Sequence, residues 1–283
     1  AEYFENLREF LEYEEKIING TEEAEEFQSL EFRNVSFSYH GSNNKSIDNL
    51  SLKINRGETV AIVGANGAGK TTFVKLLLRF YDPQSGEILY NGKDIKEYDV
   101  NSLRKRVATV FQDYKIFALS VTENVLCREW LNNADSDIVT SALKAAGIYE
   151  KIDSLPEKEN TVLTREFDEK GTGLSGGEQQ KIVTSRIFAR DFDLAVLDEP
   201  SSALDPVAEY KMYESLIEAT KDKTVIYISH RLSGAALSDR IYVFSDGSVA
   251  EEGTHKELME RDGIYCNMFT LPASSYNEER SDV

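Results

Sequence analysis

Positive charge and cysteine are both scarce in this chain of 283 residues. It has 32 Lys and Arg against 50 Asp and Glu, which gives a net charge of −18. This balance argues against nonspecific binding to nucleic acid or to an anionic lipid surface, because both need clustered cations. The two cysteines, Cys127 and Cys266, are too few for a disulfide framework or a four-ligand zinc site. We therefore expect a reducing, intracellular setting and no nucleic-acid partner.

Long hydrophobic runs are also absent. No stretch approaches the roughly 20 apolar residues that are needed to span a bilayer. The longest apolar runs are short, for example Thr59–Val63 and Thr224–Ile228. The chain begins with Ala1 instead of Met and shows no signal-peptide pattern, which predicts a piece of a longer protein. Its length and its 41% of apolar residues suffice for one large domain or two small ones.

The first 29 residues are strongly acidic, with ten Glu against Arg8 and Lys16. Their apolar residues recur at helical spacing, which predicts an amphipathic helix that ends near Asn19-Gly20. Two interpretations stay open at this point. The helix is either a solvated element that lies on the domain or a connector to a missing segment.

Alternation of apolar and polar residues begins at Leu30 and predicts a strand whose register slips around Arg33-Asn34. The apolar run 58–63 predicts a buried central strand. Residues 116–170 favour helices, and strand-like runs return from Leu194 onwards. Strands and helices are therefore mixed along the chain.

The segment Gly64–Thr71 matches the phosphate-binding pattern G-x-x-x-x-G-K-[ST], between a predicted buried strand and a predicted helix. Its glycines permit a tight turn with several N–H groups aimed at phosphate oxygens. Lys70 is expected to reach the β- and γ-phosphates, and the Thr71 hydroxyl to bind Mg²⁺. The candidate nucleotide-binding residues here are Gly64, Asn66, Gly67, Ala68, Gly69, Lys70, Thr71 and Thr72.

Two adjacent acids, Asp198 and Glu199, follow the apolar run Leu194–Leu197. Most adjacent acid pairs are surface charges, but a buried strand that leads into the pair makes that interpretation less favourable. We predict that Asp198 holds Mg²⁺, directly or through water, and that Glu199 orients and polarises the attacking water.

A second anion-binding helix start is predicted at Leu174-Ser175-Gly176-Gly177-Glu178. Ser175 has the character of an N-cap, and the following N–H groups favour an anion. Taken alone, the segment would be interpreted as an ordinary capped helix. Because the chain then has two phosphate-binding helix starts and one metal-binding strand, we predict a head-to-tail dimer with ATP between the two chains.

Together these motifs resemble the nucleotide-binding domain of ATP-binding cassette (ABC) proteins, in the order found in that family. The resemblance covers about residues 29–270 and implies an α/β fold: a P-loop NTPase core, an antiparallel β subdomain, and an inserted α-helical signature subdomain at about 116–190. It also implies that residues 1–28 are a connector from a missing membrane domain and that 271–283 are a polar tail. The residues that carry it are Gly64–Thr71, Gln112, Leu174–Glu178, Leu194–Glu199, Ser202–Asp205 and His230.

The resemblance assigns roles to three residues of the ATP site. Tyr39 matches the aromatic that stacks on adenine, although a tyrosine at a strand end can also be a packed edge residue. Gln112 matches the glutamine that contacts Mg²⁺ and the attacking water. His230 matches the switch histidine that contacts the γ-phosphate, which makes Glu199, His230 and Gln112 the predicted catalytic residues.

Three more residues match the family's dimer interface. Ser175 and Gly177 correspond to groups that bind the γ-phosphate of the opposite subunit's ATP, and Asp205 to a loop that crosses the interface. The family usually has glutamine where this chain has Glu178, which places a negative charge near the phosphate and puts affinity in question.

Three segments are similar to exporter-type half-transporters: the acidic start, Phe117–Val125 and the ending after Glu252. The neighbourhoods of Glu166 and Pro200 resemble bacterial peptide or bacteriocin exporters. The implied protein is a homodimer, or a pair with a related half-transporter, at the cytoplasmic face of the bacterial cell membrane. It uses ATP and Mg²⁺, and its transmembrane domain is missing from this chain.

Other function classes remain as alternatives. A chromosome-organising ATPase would need a coiled coil where only 61 residues separate Gln112 from Leu174. An importer ATPase subunit would normally begin at its own Met, near the first strand. A non-hydrolysing, nucleotide-gated interaction module would not need Glu199 and His230.

Overall fold

The computed structural model describes residues 5, 8, 17–42, 44–166, 171–199, 217, 220–221, 223–229, 232 and 234–270. The strands are β1 (Ser29–Phe37), β2 (Ile47–Asn55), β3 (Thr59–Gly64), β4 (Ser85–Tyr90), β5 (Lys93–Asp94), β6 (Val107–Val110), β7 (Leu194–Asp198), β8 (Thr224–Ser229), β9 (Arg240–Ser245) and β10 (Ser248–Gly253). The helices are α1 (Lys70–Leu77), α2 (Val100–Arg106), α3 (Val121–Leu126), α4 (Asn133–Ala145), α5 (Tyr149–Asp153), α6 (Gly176–Phe188) and α7 (His255–Glu260). Residues 264–270 are also helical.

The smaller sheet is antiparallel, with the strand order β2-β1-β4-β5. The predicted register slip in β1 is confirmed, because its pairing with β2 shifts between Phe32 and Val35. Asn34 has a φ of 49° at this point, as expected where an extra residue bulges from a strand. The shift keeps Phe32, Val35 and Phe37 in the core.

The larger sheet has the order β10-β9-β3-β8-β7-β6, and its strands from β9 to β6 run parallel. Strand β3 lies between β8 and β9, and five of its six residues are buried. In the register of these strands Val63 pairs with Ser229, Asp198 with Ile228, and Val110 with Leu197. The carboxyl ends of β3, β6, β7 and β8 therefore meet at one edge, where ligands bind in open parallel sheets.

Helices α3 to α6 lie between β6 and β7 in the chain and have their own apolar core. Val121, Leu143, Ile152 and Ile182 are at most 1% exposed within it. This is the region in which the sequence predicts the helical subdomain, and its bounds at about 116–190 stay a prediction.

Residues 17–28 run along the domain surface and enter the main core. Phe27 packs edge-on against Tyr90, with 5.6 Å between ring centroids, and the Ala24 amide donates to Ser102 Oγ. Most of the predicted acidic helix, and the predicted tail at 271–283, lie outside the described residues. Of the helices that the structure describes, none has the length and hydropathy required to cross a bilayer.

Candidate functional site

The parallel sheet opens at its carboxyl edge into a cleft of about 440 Å³. Two segments that are far apart in sequence, the loop after β3 and the end of β7, contribute to it. Ser46, just before β2, also lines it; no motif marks this serine, and sequence analysis missed it. The lining residues are Ser46, Asn66, Gly67, Gly69, Lys70, Thr71, Thr72, Gln112 and Glu199.

Glycine is required in the loop after β3 for two different reasons. A Cβ at Gly64 would lie 2.3 Å from the Phe244 carbonyl oxygen, and one at Gly69 2.6 Å from that of Ser46. Gly67 has open space around it, but its φ of +83° is one that L side chains rarely adopt. The loop is thus pressed against its neighbours on one side and open to the cleft at Gly67.

Lys70 is 6% exposed, and its ammonium group holds the loop together. Its Nζ donates to the carbonyl oxygens of Gly64 and Ala65 at 2.7 and 3.0 Å. Burial lowers the pKa of Lys70, and the charges of Glu199 and Asp198 oppose that shift. The structure therefore brings the predicted phosphate-binding cation and both predicted carboxylates together.

The Asp198 carboxyl fits a magnesium site. It is 1% exposed, and its Oδ2 is buried with no hydrogen-bond partner among the described residues; such an acceptor is costly unless a ligand satisfies it. The Thr71 side chain acts on the same carboxyl and opposes the rise of its pKa. Within the described ranges no group of three or more His, Cys, Asp or Glu could hold a metal alone. One carboxylate, one hydroxyl and substrate phosphates are a typical magnesium environment.

Burial raises the pKa of Asp198 from 3.8 to about 6, so ionisation of this group should destabilise the metal-free protein. The protonated Asp198 carboxyl contributes fully to the free energy of unfolding below the pKa that it has in the unfolded chain. That contribution is lost as the pH rises through the folded pKa. We expect Asp198→Asn to remove this loss, worth up to about 3 kcal/mol between pH 4 and 7.5. Urea unfolding of both proteins without metal or nucleotide measures it.

Asp191→Asn is the control, because the Asp191 side chain is 95% exposed. Parallel pH profiles for the wild-type chain and Asp198→Asn would contradict the assignment of the shift to this carboxyl.

Glu199 lies beside Asp198 in an unusual backbone conformation, with a φ of 50°. Such left-handed geometry in a non-glycine residue costs about 1–3 kcal/mol and is concentrated at functional sites. Its Oε2 accepts a hydrogen bond of 2.8 Å from Gln112 Nε2, and the residue is 9% exposed. The carboxylate is thus aimed into the cleft and held by a side chain from the end of β6.

The segment that follows Gln112 is anchored by Asn124, which is fully buried in α3. Asn124 Oδ1 accepts from the Phe117 amide, and its Nδ2 donates to three carbonyl oxygens, those of Phe117, Leu119 and Ser120. Sequence analysis missed this residue, because an asparagine in a helical pattern carries no distinctive signal.

We expect Asn124→Ala to lower the free energy of unfolding by about 2–4 kcal/mol, because several backbone groups lose a fully buried partner. Urea unfolding measures the loss, with Asn101→Ala on the exposed side of α2 as the control. Equal stability of the two variants would contradict the anchoring role.

Ser175 caps α6 as predicted. Its Oγ accepts from the Glu178 amide, and Glu178 Oε2 accepts in return from the Ser175 amide and hydroxyl at 2.8 and 2.9 Å. Ser175, Gly176 and Gly177 do not line the cleft around Lys70. The structure thus leaves the signature segment apart from the chain's own phosphate loop.

Three predicted site residues remain, namely Tyr39, Asp205 and His230. Tyr39 packs edge-on against Phe37 and Tyr81, and its hydroxyl lies 3.2 Å from Thr72 Oγ1. It is close to α1, but its stacking on adenine stays a prediction. Asp205 and His230 lie outside the described residues.

The family model described as ABC transporter matches residues 47–202. Among curated proteins, the chain is 37% identical over 271 residues to the ATP-dependent lipid A-core flippase of Haemophilus influenzae. This match covers 95% of this chain and 45% of the flippase. The chain is 38% identical over 272 residues to the subtilin transport ATP-binding protein SpaT of Bacillus subtilis, covering 94% and 44% of the two chains. The chain therefore spans less than half the length of these relatives.

Among solved structures, a bacterial Atm1-family ABC exporter with ATP bound superposes with a TM-score of 0.83 at 33% identity. The match covers 94% of this chain and 46% of the exporter chain. The similarity thus includes both sheets and the helical region.

Proposed function

The chain belongs to the ABC transporter family, and we propose that it is the ATP-binding and ATP-hydrolysing motor domain of an exporter. The resemblance and the fold class predicted from the motifs are thereby confirmed. The observation that carries the proposal is the meeting of Lys70, Asp198 and Glu199 at one edge of the sheet, in a chain similar to exporters along nearly its whole length.

In the proposed mechanism the triphosphate of ATP binds along the loop after β3. The loop N–H groups and Lys70 neutralise the phosphate charge. Glu199, oriented by Gln112, accepts a proton from the attacking water. The water oxygen bonds to the γ-phosphorus as the bond to the bridging oxygen breaks, so that ADP and phosphate are the products. Mg²⁺, held by Thr71 and Asp198, would supply charge neutralisation at the β- and γ-phosphate oxygens.

The second half of each site comes from another chain in this proposal. Ser175 and the amides after it sit apart from the cleft around Lys70, and the start of α6 is a favourable place for a phosphate. A head-to-tail dimer brings the start of α6 to the open side of the partner's nucleotide. Hydrolysis then separates the two chains.

The same proposal assigns the remaining parts of the transporter. Residues 1–28 connect to a transmembrane domain on the same polypeptide, 29–270 form the ATPase domain with its helical subdomain at about 116–190, and 271–283 form a polar tail. The partner is a second copy or a related half-transporter, and the site of action is the cytoplasmic face of the cell membrane. Lipid A-core and subtilin appear in the names of the relatives, which supports a lipidic or peptidic substrate.

Light scattering in the presence of Mg²⁺ and a non-hydrolysable ATP analogue tests the proposal. The wild-type chain should dimerise, whereas Ser175→Arg should bind the analogue and stay monomeric, because its own phosphate loop is intact. Ser51→Arg, at an exposed position of β2, is the matched control and should behave as wild type. Dimerisation of Ser175→Arg, or a wild-type chain that does not bind the analogue, would contradict the proposal.

A further inference from the structure

The carboxylate of Glu178 is hydrogen-bonded to Ser175, the residue that binds phosphate in the proposed function. Ser175 has one hydroxyl proton, and it donates that proton to Glu178 Oε2 at 2.9 Å. The same oxygen accepts the Ser175 amide at 2.8 Å. A phosphate that accepts a hydrogen bond from the Ser175 hydroxyl must therefore compete with the Glu178 carboxylate for it. The phosphate must also lie close to the negative charge of that carboxylate.

The other oxygen of Glu178 has a cationic partner. Lys151 Nζ, in α5, lies 3.4 Å from Glu178 Oε1. The two side chains are 46% and 29% exposed, so the pair is open to solvent and near the surface that presents Ser175. The pKa of Glu178 is lowered, chiefly by the Ser175 amide and also by Lys151, which keeps the carboxylate ionised at neutral pH.

Lys151 lies in α5, which shares the apolar core of the helical region with α6. Ile148 and Ile152 on either side of it lie in one apolar cluster with Ile182 of α6. A hydrogen bond lies close to this cluster, because Lys181 Nζ of α6 donates to the carbonyl oxygen of Gly147, two residues before α5, at 3.0 Å. These contacts place the start of α5 beside α6, within reach of Glu178.

We propose that Lys151 is a positioning residue that neutralises Glu178 and so allows Ser175 to engage the triphosphate bound by a partner chain. This inference rests on the proposed function. Without the lysine, an approaching phosphate would meet an uncompensated carboxylate, and Glu178 would retain the Ser175 hydroxyl more strongly. With it, the segment is close to neutral where the phosphate arrives.

A double-mutant cycle on the 283-residue chain tests this role. Lys151→Met keeps most of the side-chain length and removes the charge. Glu178→Gln removes the opposing charge and keeps an acceptor for Ser175. Lys151→Arg is the conservative variant. Lys158→Met is the matched control, because Lys158 lies in the same region and pairs with Asp153 at 2.8 Å.

The readout is the Mg-ATPase rate as a function of ATP concentration. Lys151→Met should raise KM about two- to fivefold, the range of one partly screened charge pair, with kcat at saturating ATP retained. Lys151→Arg and Lys158→Met should keep the wild-type KM. In the Glu178→Gln background, Lys151→Met should have no further effect. Melting temperatures of all variants separate lost folding from lost affinity.

Two results would overturn the inference: an equal effect of Lys151→Met with and without Glu178, or no effect beyond that of Lys158→Met. If either occurs while the wild-type rate is intact and depends on Glu199, the inference alone fails. A wild-type chain with neither ATPase activity nor nucleotide-dependent dimerisation would remove the proposed function and this inference together.

Discussion

Glu199→Gln should reduce the steady-state Mg-ATPase rate at least about 100-fold, the low end of the contribution of a general base. The substitution is nearly isosteric, so the carboxamide can keep the hydrogen bond with Gln112 and the left-handed backbone at this position. What it loses is the ability to accept a proton from water. ATP binding needs the loop after β3 and Lys70, which this change leaves in place.

The accompanying prediction is that Glu199→Gln accumulates as an ATP-bound dimer. Size-exclusion chromatography with Mg-ATP should show the dimer for this variant and a smaller, transient dimer fraction for wild type. Glu87→Gln is the control, because Glu87 pairs with Arg33 on the surface of the antiparallel sheet. A Glu199→Gln chain that hydrolyses ATP at the wild-type rate would contradict the role of this residue.

Lys70→Met should weaken ATP binding about 10- to 100-fold, because a charge-assisted hydrogen bond to phosphate contributes about 1.5–3 kcal/mol. The methionine keeps most of the length of the buried side chain but cannot donate a hydrogen bond to the Gly64 and Ala65 carbonyl oxygens. The protein loses the stability that these two hydrogen bonds contribute, but it no longer has to bury a charge, which offsets part of that lost stability. We therefore expect a large change in affinity and a small change in stability.

Fluorescence titration with a labelled ATP analogue, together with urea unfolding, measures the two effects of Lys70→Met separately. Lys53→Met is the matched control, because Lys53 is an exposed residue of β2 and loses the same charge. A variant with wild-type affinity would contradict the assignment of Lys70 to the phosphates. Equal losses of affinity in both variants would show a nonspecific charge effect.

The parts of the fold and site that could be predicted from sequence are those in which the signal is local. The phosphate loop needs glycines at fixed offsets, and these have the close contacts and positive φ that require glycine. The register slip in β1 was visible because the side-chain period changes at Arg33-Asn34. The cap was predicted from Ser175 itself, a residue type that is favoured at the start of a helix, and the structure adds the return hydrogen bonds to Glu178.

Other elements gave no such signal. Strand β4 buries three consecutive residues, 88–90, at its end and exposes its start, so it shows no alternation. Gln112 and Glu199 are 87 positions apart, and no spacing rule joins them. The network around Asn124 and the pairing of Lys151 with Glu178 depend on how helices pack, which periodicity alone does not determine.

The most direct test of the composite site is the Mg-ATPase rate measured against protein concentration, with Glu199→Gln as the blank. If two chains build each site, the rate should rise more steeply than linearly until the dimer is saturated, and the substitution should abolish it. A rate strictly proportional to concentration over the whole range, or one that survives in Glu199→Gln, would contradict the account.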